Sequence, residues 1–167
     1  KLIEENSTIS MGGCASAKEI GLVQALQEGN YQYLDRSKME SREGLLAAYD
    51  SDVFLSSANA MTSDGILVNI DGNSNRVSCI AQGPKKVIFI VGMNKVCDDL
   101  DSAMKRARNV AAPINAQRFE VKTPCKETGK CFDCKSPDTI CCQFLITRYS
   151  RHTGRIHVIL VNDNLGF

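Results

Sequence analysis

The chain has 167 residues, 43% of them hydrophobic and 23% charged, with a formal net charge of +1. That length predicts a single domain over residues 1–167 with a sizeable buried core. The balanced charge and an aromatic content of only 6% argue against a nucleic-acid binder, and no apolar run approaches the roughly 18–20 residues that span a bilayer.

In chain order, Ser7 to Met11 predicts a short strand running into Gly12-Gly13. Ser16 is placed to cap a helix carrying Ile20, Leu22, Val23 and Leu26, which Gly29-Asn30 would stop. A second helix is expected from Glu40 to Tyr49, and a strand begins at Val53-Phe54-Leu55. Ile66, Val68 and Ile70 alternate, as one face of a strand does. Asp71 to Asn75 reads as a turn, with Arg76 to Ala81 as the hairpin partner. Val87 to Val91 is a continuous apolar run, the pattern of a central strand buried on both faces. A helix follows over Asp98–Arg108, acidic at its start and basic at its end, as the helix dipole favours. Ile140–Thr147 and Ile156–Val161 predict two last strands, with Arg151–Gly154 as the turn between them. Strands alternating with amphipathic helices predict an α/β fold.

Ligands of open α/β sheets bind beyond the carboxyl ends of the strands. Three predicted strands end in polar or glycine-rich sequence: Gly12 to Ser16, Ser56 to Gly65, and Gly92 to Lys95. Each alone reads as a plain turn or helix cap; their repetition at three strand ends points to one pocket. Converging, they would supply backbone N–H groups, an amide, a carboxylate from Asp64 or Asp71 and a cation from Lys95. That inventory suits a small anionic metabolite: a phosphosugar, a carboxylic acid or an acyl thioester. The candidate ligand-binding residues are Gly12, Gly13, Asn59, Thr62, Gly65, Asn69 and Asp71. If the site is catalytic, Asp64 is the candidate general base, and Lys95 or the Gly12-Gly13 amides would hold the anion.

Five of the eight cysteines fall between Cys125 and Cys142, within a cysteine-rich loop over residues 122–142. Cys125, Cys131, Cys134 and Cys141 are the candidate ligands of a four-thiolate site for zinc or an iron–sulfur cluster. Adjacent residues of a strand face opposite ways, so only one of Cys141 and Cys142 would point into the loop. Lys126, Lys130 and Lys135 would offset thiolate charge and lower the thiol pKa values. A redox-active dithiol, disulfides and inert thiols stay open as alternatives. With no secretion signal, the thiols read as reduced and the chain as cytoplasmic.

The stretch Asn59-Ala60-Met61-Thr62-Ser63-Asp64-Gly65-Ile66-Leu67-Val68-Asn69-Ile70-Asp71-Gly72-Asn73-Ser74-Asn75-Arg76-Val77 resembles the signature of the LUD-domain family of lactate-utilisation proteins, LutC- and YkgG-like. Further matches are Ser10 to Gly13, Gly83 to Val87, Gly92 to Lys95, Arg108 to Ala116 and Leu160 to Phe167, so the resemblance covers nearly the whole chain. It implies a short form, without the ferredoxin-like extension of larger members, and a helical segment missing ahead of the first strand. It also implies a Rossmann-like sheet similar to that of ribose-5-phosphate isomerase and CoA transferases, with a β-hairpin. Many relatives carry Ser at the position of Cys14, which puts a hydroxyl role there in doubt. The family's biology implies lactate or organic-acid oxidation, with other lactate-oxidation subunits as partners and a homo-oligomer left open. Whether the domain itself catalyses a step does not follow from its fold. An accessory metal or redox module, or a non-catalytic subunit of an oxidase, is the alternative.

Overall fold

The computed structural model describes residues 2–167; Lys1, at which the sequence opens, lies outside the described residues. The architecture is mixed α/β, built on two sheets. The larger contains β1 (Thr8–Met11), β2 (Gln32–Tyr33), β3 (Val53–Ser56), β6 (Lys86–Gly92) and β9 (Ile156–Val161) in the order β2-β1-β3-β6-β9, every pair parallel. The smaller contains β4 (Ala60–Thr62), β5 (Leu67–Asp71), β7 (Val96–Cys97) and β8 (Gln143–Thr147) in the order β7-β4-β5-β8. In it β5 runs antiparallel to both β4 and β8.

Side-chain alternation along the parallel strands sorts the core into layers. Ile9, Met11, Leu55, Ile88 and Ile90 pack on one face of the large sheet under Ala17 of helix α1 (Ala15–Glu19) and Leu26 of α2 (Leu22–Glu28). Phe54, Val87, Phe89 and Val91 face the other way. They meet Ala48 of α3 (Ser41–Tyr49), Ile80 of α4 (Asn75–Ala81), and Met61 and Leu67 of the small sheet. Beyond the small sheet, Ala60, Val68 and Ile70 pack on Ala103 and Ala107. Those alanines belong to a helical run made of α5 (Leu100–Arg106), a π-helical turn (Ala107–Ala111) and α6 (Ala112–Ala116). Pro113 lacks the N–H that an unbroken helix would bond to Asn109, which accounts for a widened turn just ahead of it. Asp99 and Ser102 close a capping box at the start of α5.

Four sequence expectations are corrected. Arg76–Ala81 is not a strand; it belongs to α4, and β5 takes β4 and β8 as its antiparallel partners. Ser16 does not cap its helix, because Cys14 occupies that position and Ser16 is buried inside the first turn. The helix predicted there is two, broken where Gly21 adopts φ 72°. The last two strands are not a hairpin: β8 closes the small sheet and β9 the large one. The segment between them crosses from sheet to sheet, and Arg155 anchors it. The residue is 9% exposed, and its guanidinium donates to the carbonyls of Cys79 (2.9 Å), Ile80 (2.8 Å) and Pro84 (3.1 Å), satisfying groups at the carboxyl end of α4 and just beyond it.

A second buried cation ties three chain segments together. Lys95 is 3% exposed and donates to the hydroxyls of Ser16 (3.1 Å) and Ser57 (3.0 Å). The Ser16 hydroxyl lies 3.3 Å from the Leu165 carbonyl, and Gly166, at φ 58°, passes over the ammonium. A Cβ at Gly166 would come within 2.9 Å of Ser16 Oγ and 3.1 Å of Lys95 Nζ, so both the conformation and the space require glycine.

Both buried cations are open to measurement. Replacing Arg155 with Met leaves three carbonyls without their donor and is expected to lower stability by roughly 3 kcal/mol in urea unfolding; an unchanged midpoint would refute the anchoring role. Burial pushes the Lys95 ammonium down from 10.5 to about 8; Arg106 and Arg76 add to the depression, while Cys14 and Glu19 oppose it. Between those values the unfolded chain holds a proton that the folded chain has released, so stability rises with pH across that window. Below about pH 8 both states are protonated, and the folded state carries the whole cost of the buried charge, on the order of 3 kcal/mol. Lys95→Met is expected to flatten the rise when unfolding is followed over that window; an identical slope in both proteins would exclude the assignment.

Candidate functional site

The site is organised around Asp71, the last residue of β5. Its carboxylate accepts from the backbone N–H groups of Asn73 (3.0 Å), Arg76 (3.0 Å) and Val77 (3.2 Å). It thereby takes over the capping of α4, whose own N-cap residue Ser74 sits at φ 60° with no side-chain cap bond. This is why the segment turns into a helix and not into a returning strand.

Arg76, in the first turn of α4, is carried back over the end of β1. Its Nη2 donates to the Ile70 carbonyl, and its Nε lies 3.8 Å from Asp71 Oδ2. That buried Nε has no hydrogen-bond partner among the described residues. The stem of Arg76 passes across Gly12, where a Cβ would stand 3.2 Å from Cγ and 3.4 Å from the Phe54 ring. Gly13, by contrast, has open space where its Cβ would be. Burial depresses the pKa of Arg76, with Asp71 and Cys14 opposing; the group remains a cation at any physiological pH.

These residues form one wall of a cleft of about 530 Å³. Gly13, Asp71, Gly72, Asn73, Asn75 and Arg76 line it on one side, and Asn115, Arg118, Phe119 and Val121, from the end of α6 onward, on the other. Arg118 is exposed; its Nη1 is 3.3 Å from Asn115 Oδ1, and its guanidinium lies 6.0 Å from the Phe119 ring centroid and 5.8 Å from that of Phe167. Two arginines, three asparagine amides and an accessible glycine backbone face one space, a donor-rich setting for an anion.

Of the residues expected from sequence to form a pocket, Gly13 and Asp71 line this cleft and Gly12 stands behind it. Asn59 and Asn69 lie beneath it as bracing: Asn59 Oδ1 accepts from the Ile70 N–H (2.8 Å), and Asn69 Nδ2 donates to the Ser57 carbonyl (2.9 Å). Lys95 is sealed in the junction described above. Thr62 ends β4, and Asp64 and Gly65 belong to the turn between β4 and β5. There the Thr62 hydroxyl donates to Asp64 and accepts from the Ile66 N–H (2.8 Å), and Gly65 takes φ 98°. That turn is at the opposite end of β5 from Asp71, and five strand residues span about 14 Å. The structure therefore separates Asp64 from the cleft and from Asp71. Sequence reasoning gave no role to Arg76, Asn115 or Arg118. The first two stand in segments that match the family, but nothing in their spacing announced a cleft.

The cysteine-rich segment contains a short helix, α7 (Pro124–Thr128), ended by Gly129 at φ 71°. None of the eight cysteines is joined in a disulfide. Cys125, Cys131, Cys134 and Cys141 line a second, smaller cavity of about 30 Å³, while Cys142 is exposed. Among the described residues, no three His, Cys, Asp or Glu side chains are arranged to hold a metal ion. The expectation that nearby lysines would lower the thiol pKa values fails at Cys141, where burial first and the thiols of Cys125, Cys131, Cys134 and Cys142 next push it up to about 11. A thiol held that high is a poor nucleophile, which weighs against a redox dithiol at this position.

Among the described residues, no helix is long and apolar enough to cross a membrane. No curated protein matches the chain. Among solved structures, a DUF162-family protein from Deinococcus radiodurans is similar at 12% identity with a TM-score of 0.39, over 93% of this chain and 88% of its own. The LUD-domain family model matches residues 1–161, which include the whole turn from Asp71 to Arg76 and every strand of both sheets, and the chain belongs to the LUD-domain family.

Proposed function

We propose that this LUD-domain protein binds a small anionic metabolite in the cleft between Arg76 and Arg118. The observation that carries the reading is the half-buried Arg76 guanidinium at the wall of the cleft. Its charge is only loosely met by Asp71, whose nearest carboxylate oxygen is 3.8 Å from Nε. A partly desolvated cation is stabilised by an anion brought beside it, and an oxyanion in the cleft would supply one. Arg118 opposite adds an exposed second cation, and Asn73, Asn75 and Asn115 add amides that can donate to further oxygens.

The family's association with lactate utilisation favours a carboxylate within this class. In this reading the parallel sheet is the counterpart of the sheet of ribose-5-phosphate isomerase and CoA transferases, and the ligand sits beyond the ends of β1 and β5. Asp71 orients Arg76 and does not itself need to exchange protons. Asp64 takes no part, since its turn faces away from the cleft. Other lactate-oxidation subunits would meet the protein outside the cleft.

The test is calorimetric titration with L-lactate, pyruvate and phosphate, in wild-type protein and in Arg118→Ala. Arg118 is exposed, so its truncation leaves the fold intact. At least one of these anions is expected to bind, and the variant to bind it about tenfold to a hundredfold more weakly, the equivalent of one charge-assisted hydrogen bond. Equal affinity in the two proteins, or heat from none of the three anions, would remove the proposal.

A further inference from the structure

We infer that β9 pairs with the β9 of a second copy of this chain, antiparallel about a twofold axis, so that the two large sheets join into one. The inference is independent of the anion cleft, none of whose lining residues lies in that strand. It starts from an edge that the fold leaves open. β9 ends the order β2-β1-β3-β6-β9 and has six residues, whereas β2, at the other edge, has two.

The ladder to β6 shows which backbone groups are left over. The Val87 N–H donates to the Arg155 carbonyl (2.7 Å), and the Met93 N–H to the Asp163 carbonyl (3.0 Å). Successive residues of a strand turn their N–H and C=O groups to opposite sides. The odd-numbered residues of β9 are therefore the ones bonded to β6, in the register Val87↔Ile156 to Gly92↔Val161. The N–H and C=O groups of Ile156, Val158 and Leu160 point outward and take no backbone partner among the described residues.

The side chains agree. Phe89, Ile90 and Val91 of β6 are buried, whereas Val158, Ile159 and Leu160 opposite them are 39%, 41% and 50% exposed. Val158 and Leu160 lie on one face of the sheet and Ile159 on the other, so both margins of the strand are bare. An apolar edge is a template for another strand, and folded proteins usually guard it with charge, proline or short length. Ile156 to Val161 contains no Asp, Glu, Lys, Arg or Pro.

The flanks of the strand select its occupant. Exposed Arg151 and His152 stand before β9, and exposed Asp163 stands after it. Antiparallel pairing of two identical strands lays the basic flank of each on the acidic flank of the other. Parallel pairing would set like on like. In the register that uses all three outward residues, Val158 faces its own counterpart and Ile156 faces the counterpart of Leu160. Each such pair exchanges both of its N–H···O bonds, and the apolar margins close over the seam. The contact is isologous, so it stops at two copies.

The experiment is sedimentation velocity of the full chain at micromolar to submillimolar concentration, in wild type and in variants at Val158. Wild type is expected to sediment as a dimer. Val158→Lys and Val158→Asp each set like charges together at the twofold axis and are expected to weaken self-association by about a hundredfold. Mixed in equal amounts, the two variants are expected to form a heterodimer, because lysine then faces aspartate. Val158→Pro removes only an outward N–H, which an edge strand tolerates, and is expected to give a monomer whose far-ultraviolet circular dichroism is that of a folded chain. Three results would each overturn the pairing. They are a monomeric wild type across that range, dimers that persist in both charged variants, and charged variants that fold yet stay monomeric when mixed. Wild type and Val158→Pro decide the matter where a charged variant fails to fold.

Discussion

The carboxylate of Asp71 is the interaction on which the site depends. Three backbone N–H groups and a guanidinium face this one side chain, and each constrains a different element. The N–H bonds start α4; the ion pair aims Arg76 across Gly12; the strand behind it carries the small sheet. Its main chain extends the reach further, because the Asp71 carbonyl accepts from the Cys142 N–H at 3.0 Å. Ile140 in turn packs its backbone against Gly72, where a Cβ would stand 3.3 Å from the Ile140 Cα. The wall of the anion cleft and the end of the thiol segment are thus one piece of structure, and Ile140 lines both cavities.

Three cations near the sheet ends illustrate how burial sorts chemically similar groups. Lys95 is enclosed and its charge is disfavoured, which suits a fastener between hydroxyls. Arg155 is enclosed, and each of its three nitrogens donates to a carbonyl. Arg76 is only partly enclosed and stands at the wall of an open cleft. Only the last faces space that a ligand can enter, and that access, more than position at a strand end, separates a recognition residue from a structural one.

The large sheet was legible because its strands carry the pattern that physics demands of them. Val87 to Val91 is apolar throughout because both faces are covered, and the structure places it in β6 between β3 and β9. Asp71 to Asn75 misled because the same residue types serve a hairpin and a helix start; the choice is made by a carboxylate reaching five and six residues ahead, which no local propensity expresses. The site was half legible. Gly13 and Asp71 are at the cleft, but the run from Asn59 to Asp71 is a hairpin, and a hairpin sends its turn and its open end in opposite directions. Thr62 and Asp64 therefore part company with Asp71 however close they stand in sequence. Arg118 was beyond reach, since its place across the cleft depends on the path of α5 and α6 and not on its neighbours.

The segment that closes over Lys95 has a further consequence, for the chain during its synthesis. Ser16 and Leu165 meet across 149 residues, and β9 completes the large sheet only after β8 has left for the other one. A nascent chain holding β1, β3 and β6 already has most of its parallel sheet but lacks the cover over its lysine. It also lacks the strand that protects the β6 edge. Such long-range closure is slow and leaves strand edges exposed while it is pending. Holding the emerging chain apart from its neighbours until residues 156–166 are made is thus a demand that this topology places on the cell.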